Sequence, residues 1–291
     1  MGKVTGKVIA MYNRKGGVAK TTSTVAFAGI LERLGKRVLV VDLDGSCNCS
    51  SVFKVSNDEE TGGLFKMICE NMPIEDTIKS SEDSMVDVIP SGYRQIDACE
   101  KLWRMRSDPM VLPYEVIGIL KKNLAQIEDK YDYILLDCSP SEDIISECVL
   151  AAASDVIAPV GSDKLSYLGI SWIYNKIQDA RERYNPDLNF VGTLMTSVSK
   201  SGADFKYFHA GYIKTLGEDA ICQPIRKDAE IARCISSDMP MFNVMRRSRA
   251  KADYIKAACE IGLISEADAR RLLARFAQKG DEDFEYVKGV N

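Results

Sequence analysis

The feature that most restricts this chain is a repeated pattern of short, unbroken apolar runs separated by stretches of helical periodicity. The runs are Val8-Ile9-Ala10-Met11-Tyr12, Val38-Leu39-Val40-Val41, Val86-Asp87-Val88-Ile89, Tyr133-Ile134-Leu135-Leu136, Val156-Ile157-Ala158-Pro159-Val160 and Phe190-Val191-Gly192-Thr193-Leu194-Met195. A strand with one wet face alternates apolar and polar residues; these runs do not, so both of their faces must be covered. Between them, residues 20–34, 113–128, 142–153 and 167–184 carry helical spacing; in the first, Val25, Ile30, Leu31 and Leu34 recur and Gly35 stops the helix. Strand alternating with helix implies parallel strands joined by right-handed crossovers. The expected fold class is α/β: a mostly parallel twisted β-sheet with helices on both faces, followed by C-terminal helices.

The chain has 291 residues, which suits a single large domain. No repeat, low-complexity tract or Pro/Gly/Ser-rich linker divides it. We expect a main domain at 1–260 and a helical appendage with an acidic tail at 261–291, helical character setting in from Ser248. Loops are expected at 56–63 and 104–113. The formal net charge is −4, so a polyanionic partner would need a local basic patch. Nine cysteines are scattered without a Cys-x-x-Cys, and His209 is the one histidine. That argues against a disulfide framework or zinc site and for a reducing, cytoplasmic setting. Residues 1–7 lack a signal-peptide core, and no apolar run reaches the ~18 residues of a membrane span.

The strongest local signal is Asn13-Arg14-Lys15-Gly16-Gly17-Val18-Ala19-Lys20-Thr21-Thr22, directly after a strand and at the start of a helix. That is the context of a phosphate-binding loop. Gly16 and Gly17 let backbone N–H groups turn towards an anion at the positive end of a helix. Val18, Ala19 and Thr22 complete the loop around it. Lys20 is placed to lie along the β- and γ-phosphates, and the Thr21 hydroxyl to complete a Mg²⁺ shell. The ordinary Walker A pattern requires glycine where Arg14 and Ala19 stand. An alanine at 19 is tolerable if its φ is negative.

Asp42 and Asp44 close the second apolar run, at the strand end that opens onto the ligand crevice of an α/β sheet. Asp42 suits either a carboxylate facing the ligand crevice or a helix- or turn-capping one. In Tyr133-Ile134-Leu135-Leu136-Asp137, four largely apolar residues deliver a carboxylate that would hold Mg²⁺ through water, as a Walker B aspartate does. Taken together, Lys-Gly-Gly-x-x-Lys-Thr, Asp-x-Asp and this Walker B segment resemble the ParA/MinD family of "deviant" Walker A ATPases, closest to short ParA/Soj-type partitioning proteins. The resemblance spans about residues 7–260, and it implies a P-loop NTPase fold of the SIMIBI-like kind with ATP and Mg²⁺ as cofactors.

It further implies that Lys15, the family's signature lysine, reaches the phosphates of a partner subunit in an ATP-bound homodimer. Asp44 takes the position near the attacking water and the metal, so the catalytic set would be Lys15, Lys20 and Asp44, and the metal set Thr21, Asp44 and Asp137. Where the family continues Pro-Gln-Gly-Asn, this chain has Gly45-Ser46-Cys47-Asn48. Ser162 and Asp163 fall in the family's switch region, and Pro224 where the family contacts the nucleotide base. Intrinsic hydrolysis is expected to be weak and stimulated by a ParB-like centromere-binding partner.

Between residues 226 and 251 lie Arg226, Lys227, Arg233, Arg246, Arg247, Arg249 and Lys251. The family binds non-specific DNA through basic residues in this part of the ATP dimer, so Arg226, Arg246, Arg247, Arg249 and Lys251 are the DNA-binding candidates and the protein is expected on the nucleoid when ATP-bound. The same spacing also suits an ordinary solvated helix face. A MinD-like membrane attachment through a basic amphipathic helix at 267–279 is the alternative: Leu272, Leu273 and Phe276 oppose Arg270, Arg271, Arg275 and Lys279, although an acidic tail follows. An iron–sulfur carrier would need cysteine pairs that Cys47, Cys49 and Cys138 do not form. An amidotransferase-type ligase would share the fold but not the context of Lys15. So few residues precede the loop that an added helix-turn-helix domain is not expected.

Overall fold

The structure is a computed structural model and describes residues 6–55, 62–199 and 203–282. The apolar runs pair into one sheet: β1 (Lys7–Met11), β2 (Val38–Leu43), β3 (Lys79–Ser80), β4 (Asp87–Ile89), β5 (Tyr133–Cys138), β6 (Asp155–Gly161), β7 (Asn189–Thr196) and β8 (Ala220–Ile221). Their order across the sheet is β3-β4-β2-β5-β1-β6-β7-β8. Neighbours run parallel except β3, which is antiparallel to β4 at one edge. All six expected strands are present. The two-residue edge strands β3 and β8 are too short to leave a periodic signal.

The helices are α1 (Lys20–Arg33), α2 (Asn48–Val52), α3 (Gly62–Cys69), α4 (Ile74–Thr77), α5 (Gln95–Ser107), α6 (Pro113–Ile117), α7 (Ile119–Leu124), α8 (Ile144–Ala152), α9 (Lys164–Leu168), α10 (Ile170–Arg183), α11 (Ala203–Leu216), α12 (Ala229–Ser236), α13 (Arg249–Glu260) and α14 (Glu266–Phe276). Side chains alternate faces along each strand. Val8, Ala10, Leu39 and Val41 enter one core with residues of α3, α5, α6, α7, α8 and α10. Ile9, Met11, Val38 and Val40 enter a second with α1, α12, α13 and α14. Covering on both faces is why the runs contain no alternation.

α1 lies between sheet and outer helices, with Val25, Phe27, Ile30 and Leu31 fully buried. It ends as its sequence requires. Gly35 takes φ +72, its N–H donates to Glu32 O and that of Lys36 to Leu31 O, which satisfies the last carbonyls.

Three expected boundaries move. The helix at 113–128 is two helices hinged at Gly118, followed by a 3-10 turn at Glu128–Lys130. The stretch at 167–184 is likewise divided at Gly169, between α9 and α10. Residues 104–107 finish α5, so the loop expected at 104–113 narrows to 108–112. The loop expected at 56–63 falls outside the described residues at 56–61, as does the acidic tail from 283 onward. α14 is amphipathic as read, but Leu272, Leu273 and Phe276 are buried in the second core, with Phe276 edge-on to Phe242 at 5.1 Å. The apolar face proposed for lipid is already covered by protein. Among the described residues no helix is long and apolar enough to cross a membrane.

Candidate nucleotide and metal site

The parallel register aligns the strand ends: Met11 pairs with Asp137 and Asp42 with Asp137. The loop after β1 and both aspartates therefore open into one crevice, at the carboxyl ends of the strands where α/β sheets bind ligands.

Buried Asn13 sets the entry to the loop. Its Nδ2 donates to Pro159 O of β6 at 2.8 Å, and its Oδ1 accepts from the Lys15 N–H at 2.9 Å. Thr196 Oγ1 of β7 donates to Val18 O at 2.9 Å. The loop is thus strapped to two strands. Gly17 has φ +74, a conformation glycine adopts freely. Ala19 has φ +63 and ψ +37, so the expected negative φ is not what the fold imposes. The left-handed conformation costs a non-glycine residue roughly 1–2 kcal/mol. Tertiary straps hold it there, because Ala19 must turn the chain into α1. No side chain caps the first turn of α1, and that turn has no acidic residue. Its N–H groups and dipole are left for an anion.

Lys20 is buried, and its Nζ donates to Lys15 O at 3.1 Å, arching over the loop. Burial pulls its pKa down, while Cys138, Asp137 and Asp44 nearby push it up. Asp42 and Asp137 are both fully buried. Burial pushes both carboxyls above the usual carboxylate range, and their mutual repulsion adds to it for Asp137. Their partners differ. Asp42 accepts from the Ser50 N–H and Oγ–H and from the Asp44 N–H, which makes it the turn-capping carboxylate. Asp137 Oδ1 accepts from Thr24 Oγ1 at 3.0 Å, and Thr21 and Thr24 partly offset the upward push of burial on its pKa. Asp137 Oδ2 is buried with no hydrogen-bond partner.

A buried carboxylate oxygen without a donor is costly unless a cation or its water shell approaches. The donor set fits Mg²⁺: hard oxygens from Thr21, Asp137 and half-buried Asp44. Among the described residues no group of three or more His, Cys, Asp or Glu could hold a metal alone. A Mg²⁺ here would depend on the phosphates of a nucleotide as well. Cys49 and Cys138 are buried thiols whose pKa values burial raises, so they offer no ready thiolate.

Lys15 is held by different partners from Lys20. Its Nζ sits 2.9 Å from both carboxylate oxygens of Asp163 and 2.8 Å from Ser166 Oγ. Asp163 also caps α9, accepting from the Leu165 and Ser166 N–H groups. Thr24, Asp163 and Ser166 were not given these roles by the sequence reading. An aspartate at the end of an apolar run, just before a helix, is the signal that points to Asp163.

A cavity of about 380 Å³ adjoins the loop, lined by Ala19, Thr22, Ser197, Ile225, Asp228 and Tyr254 among others. Pro224, the expected base contact, is buried and is not on this wall; the residues that follow it are. Asp228 caps α12 through the Glu230 N–H and reaches across to Ser248 Oγ and the N–H groups at the start of α13.

The basic candidates divide in two. The side chains of Arg246, Arg247 and Arg249 are 69%, 51% and 64% exposed. Lys251 is fully buried, and its Nζ donates to Val244 O at 2.8 Å and Arg246 O at 2.9 Å. It cannot reach a DNA phosphate; it is a structural clamp. Arg226 is also withdrawn, with a 16% exposed side chain in a two-pronged pair with buried Asp253.

A family model described as an AAA domain matches residues 6–190, more than half of the chain. The chain belongs to the AAA domain family. Its ParA/MinD resemblance is borne out by curated relatives. The sporulation initiation inhibitor protein Soj of Bacillus subtilis is 28% identical, over 88% of this chain and 98% of Soj. The chromosome partitioning protein ParA of Myxococcus xanthus is 26% identical, over 88% of each chain. A solved structure of cobyrinic acid a,c-diamide synthase from Mycobacterium smegmatis, with bound ATP analogue and magnesium, is 25% identical. It superposes with a TM-score of 0.68 over 76% of this chain and 85% of that one. That likeness confirms the P-loop α/β fold but not the use made of it, since one fold serves unrelated functions.

Proposed function

We propose that this chain is a ParA-type ATPase that binds ATP and Mg²⁺, closes into a homodimer, and in that state binds non-specific DNA to partition it with a ParB-like partner. The observation that carries the reading is the different burial and contacts of the two loop lysines. Lys20 arches over the phosphate cradle, while Lys15 is half exposed and points out of it towards α9. An outward lysine is of little use to the nucleotide of its own subunit and is well placed for that of a second. The residue context of Lys15 also argues against a metabolic ligase on the same fold.

Phosphoryl transfer needs positioning and charge neutralisation rather than a covalent nucleophile. In this chain the α1 N-terminus and Lys20 would hold the β- and γ-phosphates. Thr21 and Asp137 would hold the Mg²⁺, which neutralises developing phosphate charge. Asp44, at the crevice mouth, would orient the attacking water. Exposed Arg246, Arg247 and Arg249 supply the phosphate contacts for sequence-blind DNA binding. Such a protein acts in the cytoplasm, on the nucleoid when ATP-bound. For ATP to act as a switch, it must bind the dimer better than the monomer.

The test is binding to non-specific duplex DNA with ATP, with ADP and without nucleotide, at two salt concentrations, with Arg246→Glu/Arg247→Glu alongside. ATP-dependent, salt-sensitive binding that the double variant loses is the expected result. An ATP-bound dimer that binds no DNA would overturn the DNA half of the reading.

A further inference from the structure

Each exposed arginine of the proposed DNA surface already faces a carboxylate of its own chain, and the carboxylates come from two places. Arg246 is 3.4 Å from Glu230, within the body of the domain. Arg247 and Arg249 face the segment that follows α14: Arg247 is 3.5 Å from Glu282, and Arg249 is 3.8 Å from Asp281. Asp281 is also 2.8 Å from Arg226, whose other guanidinium nitrogens are held by Asp253. A local turn shapes the segment, with the Gly280 N–H donating to Glu282 and the Asp281 N–H to Gln278 O. Arg247 also donates to Ala274 O at the end of α14, so it is held where that helix meets the segment.

From this arrangement we infer that Asp281 and Glu282 form an intramolecular brake on DNA binding, two carboxylates that occupy the guanidinium groups a DNA phosphate would need. The inference rests on the DNA-binding reading above. Carboxylate and phosphate oxygens compete for the same planar fork of N–H donors. The Arg247–Glu282 pair is exposed and long and adds little to stability, whereas the 2.8 Å Arg226–Asp281 pair, between side chains 16% and 18% exposed, anchors the segment. Their effect falls on availability: DNA must displace two carboxylates before Arg247 and Arg249 can neutralise phosphate. Arg226 links the brake to the cavity beside the phosphate loop, because it lines that cavity and holds Asp281.

The test compares full-length wild type, Asp281→Asn/Glu282→Gln, and a chain ending at residue 280, each with ATP and Mg²⁺ on non-specific duplex DNA across a salt series. Both altered chains should bind about fivefold tighter than wild type, as expected when Arg247 and Arg249 are released from weak, long pairs. Their log–log salt slope should be steeper by about 1.8, for two further phosphates neutralised. In an Arg247→Gln/Arg249→Gln background the tail changes should have no further effect. Binding by the altered chains but not by wild type would support the brake. Equal affinity and slope in all three, with wild type binding, would overturn the brake and leave the DNA reading standing. No DNA binding by any of them, while the ATP dimer still forms, would overturn both. Thermal unfolding of each chain tells a changed surface from a changed fold.

Discussion

The strand-end crevice and the arginine surface are both crowded with charge, and they handle it in opposite ways. In the crevice, two aspartates are buried beside each other and one of their oxygens has no partner at all. On the arginine surface, Arg246, Arg247 and Arg249 each face a carboxylate within 4 Å. The crevice is left electrostatically incomplete, so a cation and a nucleotide complete it. The surface is nearly complete, so a polyanion must displace something. Charge imbalance at a buried site is expensive and marks where a ligand belongs; charge balance at an exposed site is cheap and adjustable.

The sharpest way to break this contrast is Asp137→Asn. Hydrolysis should fall at least about a hundredfold, ~2.7 kcal/mol of transition-state stabilisation, in a steady-state ATPase assay. The same substitution should alter how the nucleotide-free protein responds to pH. A carboxyl whose folded pKa lies above its unfolded one holds its proton more tightly in the folded chain. Its stabilising contribution is therefore full below the unfolded pKa and is lost as pH rises towards the folded one. Asp42 and Asp137 are both raised by burial, so denaturant unfolding should show wild type losing stability from the ordinary carboxylate range up towards neutrality. Asp137→Asn should flatten that loss, and so should ATP with Mg²⁺ on the wild type.

Next in size is Lys251→Met, which keeps the apolar stem but leaves Val244 O and Arg246 O without their donor. It should cost about 1–3 kcal/mol in chemical denaturation. The salt slope of DNA binding should not change, whereas Arg246→Glu/Arg247→Glu should lower it. A changed slope in the lysine variant would show that Lys251 does reach DNA. The smallest effect is expected at Ala19→Gly. Relief of a left-handed alanine should stabilise the chain by about 1 kcal/mol, offset in part by the entropy of the new glycine. A loss of stability instead would mean that the Ala19 methyl makes a contact worth more than its strain.

The crevice was largely legible in the sequence because its parts are contiguous. A loop between a strand and a helix, and carboxylates at strand ends, are local patterns whose geometry follows from their neighbours in the chain. What escaped was every partner contributed from elsewhere: Thr24 on the first helix, Asp163 and Ser166 beside Lys15, and the straps from Asn13 and Thr196 that hold Ala19 at positive φ. The arginine surface was much less legible. A run of basic residues gives composition and spacing but no exposure, so Lys251 reads like Arg249 until packing separates them.

The sequence by itself determined the strands, their parallel sheet and the phosphate loop, since all three follow from periodicity and from residues adjacent in the chain. Only the tertiary structure decided which charges are free. Burial and long-range pairing made Lys251 a clamp, withdrew Arg226 onto Asp253, drew α14 into the core and set Asp281 and Glu282 against the exposed arginines. Those outcomes depend on which distant segments share a surface. That is fixed by how helices pack on a sheet, and local sequence does not record it.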